Sequence, residues 1–283
     1  MSNEGNEEAG AVGIPVESGR RRFRRRRRRA GQRRRGLFLL PHLLTTGNLF
    51  FGFFAIVQAF AGKPDQAALG IILAAVCDGL DGRVARLAKT TSQFGVEYDS
   101  IADTVSFGVA PAMLAFSAGN LQLLGRPGWV MAFLFTACAA LRLARFNVSQ
   151  GRYKGRFEGM PSPAAACTVA STQWFVSFLH KQGFAFSTPE WMVAGGVAAL
   201  GLLMVSAIPY RSGKQMDLRQ PFGTLVLVVV ALALIAQEPS VTLFLIGVVY
   251  TFSGPVEWIW RRVKHKPLEK LPVPTTPEPT SQE

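Results

Sequence analysis

The chain has 283 residues, 49% of them hydrophobic, and its mean hydropathy is +0.22. The apolar residues are grouped in blocks, which excludes an ordinary soluble domain and favours a polytopic membrane protein. The formal net charge of +13 is uneven, because twelve of the 31 Lys and Arg residues lie between Arg20 and Arg35.

The two ends of the chain are polar and have no apolar block. We therefore expect a disordered N-terminal arm over residues 1–36 and a disordered C-terminal tail over residues 263–283. The arm contains the arginine tract RRRFRRRRRRAGQRRR (Arg20 to Arg35). Such a tract is typical of nucleic-acid binding or of contact with an anionic membrane surface. Because an apolar block follows it closely, we predict contact with anionic lipid and no nucleic acid.

Residues 37–262 form the predicted transmembrane domain, which is all-α. Eight apolar blocks predict its helices, and several are shorter than the roughly 20 residues that a membrane span needs. Gly and Ala are frequent in these blocks, which suits close packing of helices in lipid. The blocks are approximately Leu43–Ala61, Gln66–Leu80, Phe94–Ala118, Trp129–Leu143, Pro163–Leu179, Trp191–Ile208, Gly223–Ala236 and Val241–Trp258.

The distribution of positive charge predicts the orientation. If the N-terminus is cytoplasmic, the outer loops carry only Lys63, Arg126 and Lys181, and the other 28 of 31 positive charges are on the inner side. This excess follows the positive-inside rule, so we predict that both termini are cytoplasmic. Five aromatic residues near span ends are expected to be interface anchors, namely Trp129, Trp191, Tyr210, Trp258 and Trp260.

Four aspartates stand out in the stretch CDGLDGRVARLAKTTSQFGVEYDSIADTVSFGVAPA (Cys77 to Ala112). One carboxylate at the centre of a membrane helix costs about 2.5 to 3.5 kcal/mol on insertion scales. Asp78 and Asp81 are three residues apart, and Asp99 and Asp103 are four apart, so each pair shares one face of its helix. A short linker makes the two helices antiparallel neighbours, and the four carboxylates therefore converge.

Two Mg²⁺ or Mn²⁺ ions would remove the repulsion within such a cluster, because these cations prefer carboxylate oxygen. A paired metal site is the geometry that transfers phosphoryl groups. Gly82 and Gly95 leave room for a ligand near the backbone, and Arg83 and Arg86 suit phosphate. Intramembrane carboxylates also occur in cation and proton transporters, which is the alternative outside the enzymes.

The spacing D-x2-D-G-x2-A-R-x8-G-x3-D-x3-D resembles the signature of the CDP-alcohol phosphatidyltransferase family. All its fixed positions are matched, by Asp78, Asp81, Gly82, Ala85, Arg86, Gly95, Asp99 and Asp103. The resemblance implies a six-helix membrane core, followed here by about two C-terminal helices. It also implies that an alcohol attacks the β-phosphorus of a CDP-linked lipid and that CMP leaves.

The resemblance further implies roles for individual residues. The four aspartates would hold two metal ions, and Asp103 would also act as the base for the acceptor hydroxyl. The remaining fixed positions and an upstream P-x3-T-x2-N element would hold the CDP-lipid. These CDP-lipid residues are Thr45, Asn48, Gly82, Ala85, Arg86 and Gly95. A homodimer is the expected assembly.

Four other stretches resemble the bacterial-type phosphatidylserine synthases within this family. They are SFGVAPA (106–112), LRLARFNV (141–148), FEGMPSPAAA (157–166) and IPYRSGK (208–214). The resemblance implies L-serine as the acceptor and CDP-diacylglycerol as the donor. Arg142, Arg145 and Asn147 are candidates for binding the acceptor or a phosphate, since guanidinium groups suit either anion. Because these residues also suit glycerol 3-phosphate or inositol phosphate, those acceptors remain alternatives.

Overall fold

A computed structural model of the chain describes residues 41–88, 92–148, 156–184, 188–211, 233 and 237–264. The arm predicted to be disordered, including the arginine tract, lies outside these residues, as does nearly all of the tail. The predicted span Gly223–Ala236 also lies outside them, apart from residue 233.

The described part of the chain is built from α-helices joined by short connections. Their bounds are α1 Pro41–Phe60, α2 Pro64–Ala88, α3 Gln93–Asp103, α4 Ala110–Ala118, α5 Arg126–Val148, α6 Ser162–Lys181, α7 Glu190–Val205 and α8 Pro239–Val263. A π-helical segment, Thr104–Val109, joins α3 to α4, so that residues 93–118 form one continuous rod. A short 3-10 turn, Leu121–Leu124, precedes α5.

Among the described residues, four helical segments are long and apolar enough to span a membrane: α1, the rod 93–118, α5 and α8. The prediction of an all-α polytopic membrane protein is therefore confirmed. The helix predicted at Gln66–Leu80 is longer than expected, because α2 continues past its two aspartates to Ala88. Helix α7 ends at Val205, three residues before the predicted end, since Pro209 disfavours helical backbone ahead of it.

A two-stranded antiparallel ribbon, which the sequence did not predict, links the ends of two helical segments. Strand β1 (Arg156–Glu158) precedes α6, and β2 (Pro209–Arg211) follows α7. The register places Phe157 opposite Tyr210. The peptide N–H of Met160 donates to the carbonyl of Leu203 at 3.0 Å, which joins the start of α6 to the end of α7.

Small side chains let the helices pack closely around the rod. One buried cluster joins α1, α2, the rod and α6, and most of its members are alanines. Gly52 on α1 shows how close the approach is, since a Cβ there would lie 2.7 Å from the Cα of Ser106 in the π-helical segment. A second cluster around Phe135 and Tyr210 joins the α4 part of the rod to α5, α6 and α7. The two clusters hold the rod between α1 on one side and α5 on the other.

Four of the five predicted interface anchors are on the surface of the described structure. Trp129, Trp191, Trp258 and Trp260 all have exposed side chains. The prediction for Tyr210 is wrong, because its side chain is fully buried and its hydroxyl donates to the carbonyl of Thr251 at 3.0 Å. Position near a span end does not determine the environment of an aromatic residue when a later helix, here α8, packs over it.

Candidate active site

Three of the four aspartates converge between α2 and α3. Asp78 on α2 and Asp99 and Asp103 on α3 each offer a carboxylate oxygen, and these oxygens lie within 4.8 Å of one another. Within the described structure, the Oδ1 atom of Asp99 is buried and has no hydrogen-bond partner. Three carboxylates at this separation repel one another unless a cation lies among them. The donor set and the unpaired oxygen therefore fit a divalent metal ion.

Asp81 lies beside this trio, one helical turn further along α2. The hydroxyl of Thr45 donates to Oδ2 of Asp81 at 3.1 Å and also contacts the carbonyl of Pro41 at 3.1 Å. Asp81 is buried and is close enough to Asp78 and Asp99 for their charges to interact. The structure thus brings all four predicted aspartates to one site, with three in the tight group and Asp81 held by α1.

Asn48 on α1 contacts the aspartate that lies deepest in the rod. Its side-chain Nδ2 donates to Oδ1 of Asp103 at 2.9 Å, and its own side chain is fully buried. The hydroxyl of Ser106 donates to the backbone carbonyl of Asn48 at 2.9 Å, which fixes α1 against the rod. The resemblance assigned Asn48 to the nucleotide. Its observed contact is with Asp103, and its Oδ1 has no partner among the described residues.

The π-helical segment begins directly after Asp103. Pro111, in the first turn of α4, has no N–H to donate to the preceding turn. The N–H of Ala110, just before it, bonds to the carbonyl of Val105, which is five residues back, as in a π-helix. Such π-helical insertions are frequent at functional sites. Ser106 and Gly108 lie in this segment and pack against α1 and α5, respectively. The sequence reasoning missed the insertion, although Pro111 inside a predicted span was a signal for it.

The two glycines of the signature have different surroundings. A Cβ on Gly82 would meet only the guanidinium of Arg86, at 3.5 Å, so space is open there. A Cβ on Gly95 would lie 3.1 Å from the His42 ring and 3.2 Å from Ser92 Oγ, which shows close packing between the starts of α1 and α3. Ala85 and Arg86 lie in the last turns of α2, where Arg86 is exposed.

The three candidates for acceptor binding are directed to different places. Arg142 is buried, donates from Nη1 to Ser162 Oγ at 3.0 Å, and interacts electrostatically with Asp103 and Asp78. Arg145 instead forms an ion pair with Glu158 of β1. Asn147 donates to Ser100 Oγ at 2.8 Å. Of these three, it is therefore Arg142 that faces the aspartate cluster.

Ser162 was not predicted as a site residue. It is the first residue of α6, lies between two prolines and is fully buried. The available signal was the stretch FEGMPSPAAA, in which Ser162 lies between two prolines at the start of a predicted apolar block. Its hydroxyl accepts from Arg142 and holds the guanidinium beside the aspartates.

The sequence model of the CDP-alcohol phosphatidyltransferase family matches residues 38–188, more than half of the chain. A CDP-diacylglycerol–serine O-phosphatidyltransferase from Helicobacter pylori is 36% identical over 229 residues, covering 81% of this chain and 94% of that protein. The protein of the same name from Mycobacterium tuberculosis is 32% identical over 227 residues and covers 77% of each chain.

The archaetidylserine synthase of Methanothermobacter thermautotrophicus is 36% identical over 177 residues, covering 60% of this chain and 69% of that protein. These matches agree with the complete aspartate signature and with the convergence of Asp78, Asp99 and Asp103 in the structure. The chain belongs to the CDP-alcohol phosphatidyltransferase family.

Proposed function

We propose that this enzyme transfers the phosphatidyl group of CDP-diacylglycerol to the hydroxyl of L-serine, giving phosphatidylserine and CMP. The observation that carries the proposal is the convergence of Asp78, Asp99 and Asp103 at one site within a complete family signature. The serine acceptor is supported by the names of relatives that cover most of the chain, from Helicobacter pylori and Mycobacterium tuberculosis.

The four aspartates would hold two Mg²⁺ or Mn²⁺ ions. Asp78, Asp99 and Asp103 supply the tight group, and Asp81, oriented by Thr45, supplies a further carboxylate. When bound, the ions would offset the negative charge that develops on the pyrophosphate as CMP departs. The unpaired Oδ1 of Asp99 supports this assignment, because a buried carboxylate oxygen without a donor is costly.

Asp103 is the proposed base for the serine hydroxyl. Asn48 donates to its Oδ1, which fixes the orientation of the carboxylate. The serine oxygen bonds to the β-phosphorus, the bond from that phosphorus to the bridging oxygen breaks, and CMP leaves with the electron pair. The hydroxyl proton passes to Asp103. Because a carboxylate is a weak base for an alcohol, this proton moves late in the reaction.

The donor headgroup would bind at the end of α2 that carries the aspartates. Gly82 offers open space beside Asp81, and the exposed Arg83 and Arg86 provide positive charge for the pyrophosphate. Ala85 and Gly95 complete the family positions assigned to the CDP group, and Thr45 and Asn48 would approach it from α1. The diacylglycerol chains would remain in the lipid.

We propose a cytoplasmic active site in a bacterial inner membrane, with both termini on that side. The start of α1, the end of α2, the end of α5 and the start of α6 all contribute to the site, so they lie at one end of the bundle. The arginine tract ends only six residues before Pro41 of α1 and would therefore contact anionic lipid at this same face. The proposed assembly is a homodimer.

The test is to incubate the purified protein with CDP-diacylglycerol and Mg²⁺ or Mn²⁺ and to follow CMP release. L-serine, glycerol 3-phosphate and inositol phosphate are supplied in separate reactions. Release with serine alone supports the proposal, and release only with another alcohol overturns the serine acceptor. No release with any acceptor, together with ion flux across sealed vesicles, would support a transporter instead.

Asp103→Asn provides the matched test of the base. We expect about a 10²- to 10⁴-fold loss of turnover, the usual contribution of a positioned acid or base. Asp65→Asn is the control, because Asp65 lies at the opposite end of α2 and pairs with the exposed Lys181. Near-normal turnover of folded Asp103→Asn protein would show that the base assignment is wrong.

A further inference from the structure

Helix α8 lies beyond the residues that match the family model, yet it packs against the helices of the site. Phe244 stacks on Phe175 of α6 with ring centroids 4.5 Å apart. A Cβ on Gly247 would lie 3.3 Å from the Cα of Thr168, so the backbones of α8 and α6 approach closely. Further along α8, Gly254 fits against the ring of Tyr210.

These contacts fix which face of α8 points inward. Residues 247, 250 and 254 are three and four positions apart, so they share one helix face. Tyr250 is accordingly half-buried, with its ring centroid 5.5 Å from that of Tyr210 and its plane tilted by 38°. Tyr210 is itself held by the carbonyl of Thr251 at 3.0 Å. The Tyr250 ring therefore faces the interior of the bundle, where Tyr210 is its ring partner.

Tyr250 shares its surroundings with Arg142. It packs against a buried cluster that contains Ala139, one turn before Arg142 on α5, and Ala165, one turn after Ser162 on α6. Arg142 is nine-tenths buried and donates from Nη1 to Ser162, but its Nε is buried without a hydrogen-bond partner among the described residues. The phenol of Tyr250 and this guanidinium are close enough to interact electrostatically. A buried guanidinium with an unused donor, next to a phenol hydroxyl, is a site that favours an anion.

The same guanidinium interacts electrostatically with Asp103, the proposed base. The site therefore contains both a carboxylate that can accept the proton of a hydroxyl group and donors that suit an anion. Serine carries a hydroxyl and a carboxylate within one small molecule. Serine therefore matches both kinds of group in the site.

We propose that Tyr250 of α8 is an acceptor-binding residue, whose hydroxyl joins the Arg142 guanidinium in binding the carboxylate of serine. This inference rests on the proposed function. A residue that selects the acceptor would then lie on α8, outside the part of the chain that matches the family model. The aspartates and Arg142 lie within the matched residues 38–188. Tyr250 contacts the acceptor and not the donor, so its removal affects serine and leaves CDP-diacylglycerol unaffected.

The test compares Tyr250→Phe with wild type in steady-state CMP release. We expect the KM for serine to rise about 10- to 150-fold, the range for one hydrogen bond to a charged group. The KM for CDP-diacylglycerol is expected to stay near that of wild type and kcat to change little, which also shows that the site is intact. Tyr250→His, which keeps a ring and a donor, should recover part of the affinity for serine.

Tyr210→Phe is the matched control, because it removes the same hydroxyl from the neighbouring ring. That hydroxyl bonds to the Thr251 carbonyl, so we expect a lower Tm and an unchanged KM for serine. An unchanged KM for serine in Tyr250→Phe would overturn the inference, as would equal rises for both substrates. If wild type releases CMP with another alcohol and not with serine, the proposed function fails first, whatever the variant does.

Discussion

The bond from Asn48 to Asp103 provides a quantitative test of how α1 supports the chemistry. The Nδ2 atom of Asn48 lies 2.9 Å from Oδ1 of Asp103, and both side chains are buried. A hydrogen bond to a charged group contributes about 1.5 to 3 kcal/mol. Asn48→Ala removes this bond without replacing it. Since about 1.4 kcal/mol corresponds to a tenfold change in rate, kcat/KM should fall about 10- to 150-fold.

Asn48→Asp removes the hydrogen bond to Asp103 while keeping the size of the side chain, so it separates the loss of the bond from a change in side-chain shape. The substituted side chain keeps the size of asparagine but places a carboxylate against Asp103, in a cluster that already contains several others. We therefore expect it to lose more activity than Asn48→Ala at neutral pH. The assay is CMP release with serine at saturating CDP-diacylglycerol, with thermal unfolding as the check on folding. Higher activity in Asn48→Asp than in Asn48→Ala would refute the reasoning.

Two further predictions concern packing and the membrane surface. Gly52→Ala would place a Cβ 2.7 Å from the Cα of Ser106, so we expect it to destabilise the protein by about 1 to 3 kcal/mol in thermal unfolding. Gly195→Ala is the control, because a Cβ there meets nothing within 4 Å and should leave the stability unchanged. A similar Tm for both variants would contradict the close approach of α1 and the rod. Deletion of residues 20–35 should weaken binding of the protein to anionic vesicles and leave its turnover in detergent unchanged. Loss of turnover in the folded deletion variant would contradict a role of the arginine tract in contacting the lipid surface.

The sequence predicted the centre of the site because its spacing is a helical property. Residues three or four apart share a face, so the pairing of Asp78 with Asp81, and of Asp99 with Asp103, follows from their positions in the chain. Which carboxylates form the tight group was not predictable, because that depends on the approach of two different helices. Thr45 on α1 contributes to the outcome by holding Asp81 beside the trio.

The partners of the two arginines could not be predicted from the sequence either, because they also depend on how different segments of the chain approach each other. Arg142 and Arg145 are three apart on α5 and were expected to act together. In the structure the ribbon β1–β2 supplies Glu158 to Arg145, and the start of α6 supplies Ser162 to Arg142. Helix periodicity gives the direction of a side chain but not its tertiary partner, and each partner here comes from a different segment of the chain. The family membership was predictable because it rests on the spacing alone, and it is confirmed by the comparisons.

The distribution of polar partners explains how a membrane domain tolerates so many carboxylates. Helix α1 provides Thr45 and Asn48 as hydrogen-bond donors, and α5 provides the positive charge of Arg142. Bound cations would remove the repulsion that remains among the four aspartate carboxylates. These groups all lie within residues 38–188, so the family match contains the proposed machinery for activating the donor. Tyr250 lies outside it, on a helix held to α6 by close backbone packing. If Tyr250 binds the acceptor, substitutions on α8 can change which alcohol the enzyme selects without disturbing the aspartates. Exchanging α8 between relatives should then alter the acceptor specificity.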